Sequence, residues 1–307
     1  MIALKIFLLV LLVWLVLLTL VPKGNFLYEM LRIPLWLVRL KRFPTGNFRK
    51  SKHSYGRHFR QYLLFFQPKD SSPTRQHVVV YIHGGGWQFA SPELFTPHAQ
   101  ALVNEGYAVF MPSHRRLPFF NCLHFREDLT LIMKKTLEIM QLEGLGDRKI
   151  ILGGMSSGGN LAGLLCFDRS ILEAAGVSQE IFTGVFLLGA PLDLEKMWSS
   201  PPLLLLAGKR NGERFKKANP ACHLQASESI RTLILHGTKD GLVEHRSILS
   251  FYEKLKSCHC GEVQLATLPG GMHMDAASWC FENHAARKIL MEWLTSLNHG
   301  DLKNTVI

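Results

Sequence analysis

One stretch limits the possible folds more than any other: Gly154-Met155-Ser156-Ser157-Gly158. Lys149 to Leu152 reads as the end of a buried strand, and the run Gly158-Gly159-Asn160-Leu161-Ala162-Gly163-Leu164-Leu165 reads as the start of a helix. A serine at such a junction, with glycine two residues to either side, marks a strand-to-helix turn so tight that flanking side chains would clash. The serine Oγ is thereby held above the sheet edge. The helix N-terminus aims free N–H groups and the positive end of its dipole at the same point, where an anion would form. Ser156 is the candidate nucleophile.

Around this turn, short apolar runs alternate with longer amphipathic ones. Strands are expected at Tyr62–Phe66, Val78–Ile82, Ala108–Met111, Ile150–Leu152, Val185–Leu188, Thr232–Leu235 and Val263–Leu268. Helices are expected at Thr96–Glu105, Phe125–Leu142, Arg246–Lys256 and Phe281–Leu297. Such alternation predicts an α/β fold with a mostly parallel sheet and helices on both faces. Glu195 to Ser229, rich in leucine and proline, is expected to form a small cap.

Two further pieces fit a nucleophilic serine. The run Val78–Ile82 ends in His83-Gly84-Gly85-Gly86-Trp87, and glycines here let the backbone approach a substrate. Gly84, Gly85 and Gly86, with the Ser157 N–H, are the candidate oxyanion cradle, braced by His83. His273 follows the last expected strand on Leu268-Pro269-Gly270-Gly271 and is the candidate base, with His236, His245 and His284 as rivals. Asp240, directly after Thr232–Leu235, is the candidate acid that orients the imidazole; Asp193 is its rival.

Taken together, these motifs and the runs His236-Gly237-Thr238-Lys239-Asp240-Gly241-Leu242-Val243 and Gly270-Gly271-Met272-His273 resemble the hormone-sensitive-lipase-like group of α/β-hydrolases, over about residues 60 to 297. Met155 departs from the acidic residue usual in that group, and Ser113-His114-Arg115-Arg116-Leu117-Pro118 departs from its tyrosine-bearing loop. The resemblance implies the α/β-hydrolase fold and a cofactor-free serine carboxylesterase acting on acyl or methyl esters of lipophilic molecules. Similar architecture occurs in prenylcysteine methylesterases and arylformamidases, so an amidase is the second reading and a non-catalytic binding module the third.

The N-terminus reads differently. Ile6–Val21 is sixteen residues, all apolar but Thr19, and predicts a single-pass anchor over residues 1–22. Lys23, Arg32, Arg39 and Lys41 on its far side predict a cytoplasm-facing domain. Residues 23–56 read as a basic amphipathic segment, its apolar run broken by Pro34, that lies at a lipid interface or packs on the globular domain as part of a lid. Residues 57–300 would then be the hydrolase domain and 301–307 a tail. The net charge of +11 is concentrated next to the apolar run, which favours lipid headgroups over nucleic acid as the partner. The six cysteines show no paired metal spacing, and no metal is expected.

Overall fold

A computed structural model describes residues 2–69, 73–226, 228–258 and 260–302. Its centre is an eight-stranded sheet: β1 (Phe48–Ser54), β2 (Tyr62–Pro68), β3 (His77–Ile82), β4 (Ala108–Pro112), β5 (Lys149–Met155), β6 (Phe182–Leu188), β7 (Arg231–Gly237) and β8 (Val263–Leu268). The spatial order is β1-β2-β4-β3-β5-β6-β7-β8; β2 runs antiparallel to both its neighbours, β1 and β4, and all other pairs are parallel.

Side-chain alternation divides the core in two. Val78, Val80 and Ile82 of β3 point into one layer and Val79 and Tyr81 into the other. The first layer is closed by α4 (Cys122–Leu142), α5 (Ser157–Phe167), α6 (Arg169–Ala175) and α9 (His245–Cys258). The second is closed by α3 (Thr96–Asn104) and α11 (Ala285–Leu302). Because both faces are covered, β3 and β4 are buried at every position.

The chain passes from β3 to β4 on one side and returns across β3 to β5 on the other, so successive helices lie on opposite faces. The order reverses at the carboxyl ends of β3 and β5, where sites in open α/β sheets gather. The register sets Ile82 opposite Gly154, so the glycine loop after β3 and Ser156 after β5 emerge side by side.

The expected anchor is overturned: among the described residues no helix is long and apolar enough to cross a membrane. The unbroken run of sixteen residues falls short of the ~20 a span requires. The orientation drawn from its flanking charges falls with it. α1 (Ile2–Leu20) instead meets α2 (Phe26–Lys41), Trp14 Nε1 donating to the Leu31 carbonyl at 3.1 Å. Pro34 does not break the second apolar run, since α2 continues through it. The segment packs on the domain: Glu29, Trp36 and Leu40, on one helix face, are buried.

Several elements lie outside the expected set. β1 is an exposed edge strand of lysines, arginine and serines, polar chemistry that protects an edge and leaves no apolar signal. The segment between β6 and β7 carries α7 (Pro201–Ala207) and α8 (Glu213–Ala218) around a cavity of about 480 Å³ lined by Leu203, Leu204 and Phe215. The last expected helix begins at Ala285, after the short α10 (His273–Ala276). Residues 303–307 of the expected tail lie outside the described residues.

Trp36 ties α2 to the body: its ring lies 6.0 Å from Phe95, and Nε1 donates to Ser278 Oγ at 3.2 Å. Trp36→Ala is expected to lower stability by about 3 kcal/mol in equilibrium urea unfolding. An unchanged midpoint and slope would contradict this packing.

Candidate active site

Ser156 sits at φ 54°, ψ −124°, a backbone region that side chains other than glycine rarely enter and that costs about 1–3 kcal/mol. The neighbours hold it there. Its N–H donates to the Leu188 carbonyl at 2.8 Å, and its carbonyl accepts from Asn160 N–H at 3.0 Å as α5 begins. A Cβ at Gly158 would collide with the carbonyl oxygens of Ile82 and His83, and one at Gly154 with Gly158. The glycines are therefore a steric condition for bringing β5, α5 and the β3 loop together.

Three side chains meet at this point in hydrogen-bonded sequence. His273 Nε2 lies 2.9 Å from Ser156 Oγ, and His273 Nδ1 lies 2.8 Å from Asp240 Oδ2. Asp240 Oδ1 accepts from the N–H groups of Leu242 at 2.9 Å and Val243 at 2.8 Å, which fixes the carboxylate after β7. With Asp240 accepting from Nδ1–H, Nε2 is left as the acceptor facing the serine hydroxyl. His273 reaches the site because its loop packs against the end of β7, where a Cβ at Gly237 would collide with the Gly271 carbonyl. A Cβ at Gly189, which has φ 50°, would stand 3.4 Å from His273 Nδ1.

The pair is electrically coupled in a water-poor setting. For His273, burial disfavours the imidazolium; the Asp240 charge and hydrogen bond outweigh it, Glu29 adds to them, and the pKa is raised. For Asp240, burial pushes upward but the histidine and the backbone donors prevail, and the pKa is lowered. Both directions favour an ion pair once His273 takes up a proton.

Beside them, the loop after β3 turns through two residues of positive φ, Gly85 (135°) and Gly86 (60°). Gly84 lies against the nucleophile, a Cβ there standing 3.3 Å from Ser156 Cβ. Neither the Gly85 nor the Gly86 N–H is hydrogen-bonded within the described residues, and Ser157, first residue of α5, has an N–H beyond the helix's own ladder. His83 is buried with Nδ1 2.8 Å from the Gly84 carbonyl oxygen, and burial lowers its pKa to about 4.

Among the described residues none of the rivals is hydrogen-bonded to Ser156. Asp193 accepts from Ser250 Oγ at 2.6 Å and Lys254 Nζ at 2.8 Å, tying the segment after β6 to α9. His236 is fully buried 3.7 Å from Asp240, its ring 5.4 Å from His245, and His284 lies 3.9 Å from Asp275. Two site neighbours have no sequence motif. Gly189 is recognisable only by its place after a strand, and Glu29 lies in a helix far from the other motifs. Among the described residues no group of His, Cys, Asp or Glu side chains is placed to hold a metal ion.

The BD-FAE family model matches residues 63–255. Neutral cholesterol ester hydrolase 1 of Rattus norvegicus is 35% identical over 114 residues; these span 35% of this chain and 27% of that protein. Esterase B from Lactobacillus rhamnosis superposes with a TM-score of 0.72 at 18% identity, covering 88% of this chain and 93% of that one. Thermogutta terrifontis esterase 2 gives 0.65 at 20% identity, covering 82% and 95%. With the sheet order above, these likenesses establish the α/β-hydrolase fold.

An NMR titration of the His273 ring is expected to show a midpoint above histidine's usual value. In Asp240→Asn the counter-charge is lost while burial remains, and the midpoint should fall by about 1–3 pH units. A midpoint that does not move would contradict the coupling.

Proposed function

Because the chain belongs to the BD-FAE family, we propose that it is a serine carboxylesterase cleaving acyl or methyl esters of lipophilic molecules through Ser156, His273 and Asp240. The observation that carries this reading is the unbroken sequence Oγ to Nε2 at 2.9 Å and Nδ1 to Oδ2 at 2.8 Å. The fold likeness to esterases and the local similarity to a cholesterol ester hydrolase support it.

In this reading, Ser156 Oγ loses its proton to His273 Nε2 as it attacks the ester carbonyl. The negative charge on the tetrahedral oxygen is met by the N–H groups of Gly85, Gly86 and Ser157, with Gly84 supplying the close approach. Removing one such donor typically costs about 10²–10³ in rate. Asp240 stabilises the imidazolium, which then protonates the departing alcohol. Water attacks the acyl-serine by the reverse path, with His273 again as base. Phe89, after the glycine loop, and Phe119, after β4, stand exposed at the same sheet edge and favour a lipophilic substrate. Amide bonds suit the same groups; a panel of matched esters and anilides separates the two.

Ser156→Ala should abolish hydrolysis of p-nitrophenyl butyrate while leaving thermal unfolding intact; retained turnover would rule the reading out. In the wild type only neutral His273 accepts the proton, so kcat/KM should fall as the pH drops through a pKa raised above histidine's usual value. A rate independent of pH across that range would contradict His273 as the base.

A further inference from the structure

We propose that Glu29, carried by the N-terminal helix α2, is a positioning residue of the reaction: it staples the loop bearing Asp240 to the segment bearing His273. The proposal rests on the esterase reading and extends its machinery to a helix outside the sheet.

Glu29 is fully buried, 244 residues from His273 in the chain. Its Oε1 accepts from the His273 N–H at 2.7 Å and from the Gly241 N–H, next to Asp240, at 3.2 Å. One oxygen thus bridges the base and the acid from outside both loops. The approach is close: a Cβ at Gly241 would stand 2.7 Å from the Gly24 carbonyl, and one at Gly24 3.1 Å from that of Lys239. Farther along α2, Arg32 Nη1 donates to Met272 Sδ at 3.3 Å, and Arg32 Nη2 lies 3.7 Å from Asp275 Oδ1. With Trp36 on Ser278, α2 lies along the whole segment that carries His273.

That segment needs a brace. His273 follows Gly270, at φ 68°, and Gly271, the residues with the most backbone freedom to lose. A displacement of His273 by about 1 Å would cost as much as ~10²-fold in rate. If Glu29 served packing alone, an apolar side chain would fill the space without a buried carboxyl. Its second oxygen, Oε2, is buried without a partner among the described residues, an arrangement that is expensive to keep.

The carboxylate also faces the imidazole electrically. The groups around His273 are Asp240 and His236 from β7 and its loop and Glu29 from α2; Asp275 on α10 itself is engaged by Arg32 and lies 3.9 Å from His284. Burial pushes the Glu29 carboxyl up, while the N–H groups it accepts from oppose that shift. As an anion, Glu29 favours the imidazolium, so its removal lowers the pKa of the base.

The test compares full-length wild type, Glu29→Ala and Glu29→Gln in p-nitrophenyl butyrate hydrolysis across pH, with folding monitored by circular dichroism. Glu29→Ala is expected to lower kcat by about 10–100-fold with KM changed by no more than about twofold. Glu29→Gln keeps the acceptor oxygen and the shape. It should restore kcat to within about threefold of wild type, with the acid limb of kcat/KM displaced to lower pH. A folded Glu29→Ala with wild-type kcat and pH profile would overturn the proposal. If that variant does not fold, the isosteric Glu29→Gln decides: a displaced acid limb supports the role, and a superimposable one overturns it. An inactive wild type would instead overturn the esterase reading itself.

Discussion

A Cβ on Gly158 would strike the backbone carbonyls of Ile82 and His83, and most of the molecule's organisation follows from that missing atom. It lets α5 start directly beneath the loop after β3 and fixes the register in which Ile82 faces Gly154. Ser156 is then forced into a backbone conformation its side chain does not favour. The strain is borne by the hydrogen bonds to Leu188 and Asn160 and by a sheet buried on both faces. Fold and site are one steric solution, so the serine hydroxyl stands 2.9 Å from His273 Nε2 at the sheet edge where the strand order reverses.

The electrostatics depend on a second constraint. Asp240 is buried, and a carboxylate there is tolerable only with its oxygens occupied. Two backbone N–H groups and the His273 ring do this, and the same bonds hold the ring in the tautomer that faces Ser156. Asp193 is also buried, but it accepts from Ser250 Oγ and Lys254 Nζ of α9. Two aspartates follow adjacent strands with different partners: Asp240 meets a histidine ring, and Asp193 a lysine and a serine of α9. That difference links Asp240 through His273 to Ser156 and leaves Asp193 as a structural tie.

Much of this was legible in the residues, because buried parallel strands must be continuous apolar runs and the turns at the sheet edge must be glycine. Val78–Ile82 and Thr232–Leu235 announce themselves that way. β1 does not, since an edge strand of Arg49, Lys50 and Lys52 has no buried face to pattern. The Asp193 tie was illegible because Ser250 and Lys254 reach it from a helix more than fifty residues on. Hydropathy misled at the N-terminus: an apolar run suggested a span, whereas the chain turns after Leu20 and α2 buries Trp36 and Leu40 against the domain. Nothing in the sequence marks Glu29; only the three-dimensional path sets it against His273.

On the proposed reading, Ser156 is made nucleophilic by the hydrogen-bonded chain behind it. The most direct measurement is reaction of the folded protein with a fluorophosphonate, followed by digestion and mass-spectrometric mapping. A single adduct on Ser156, absent after heat denaturation, is the predicted result. An unlabelled Ser156 in folded protein, or label spread over other serines, would contradict it.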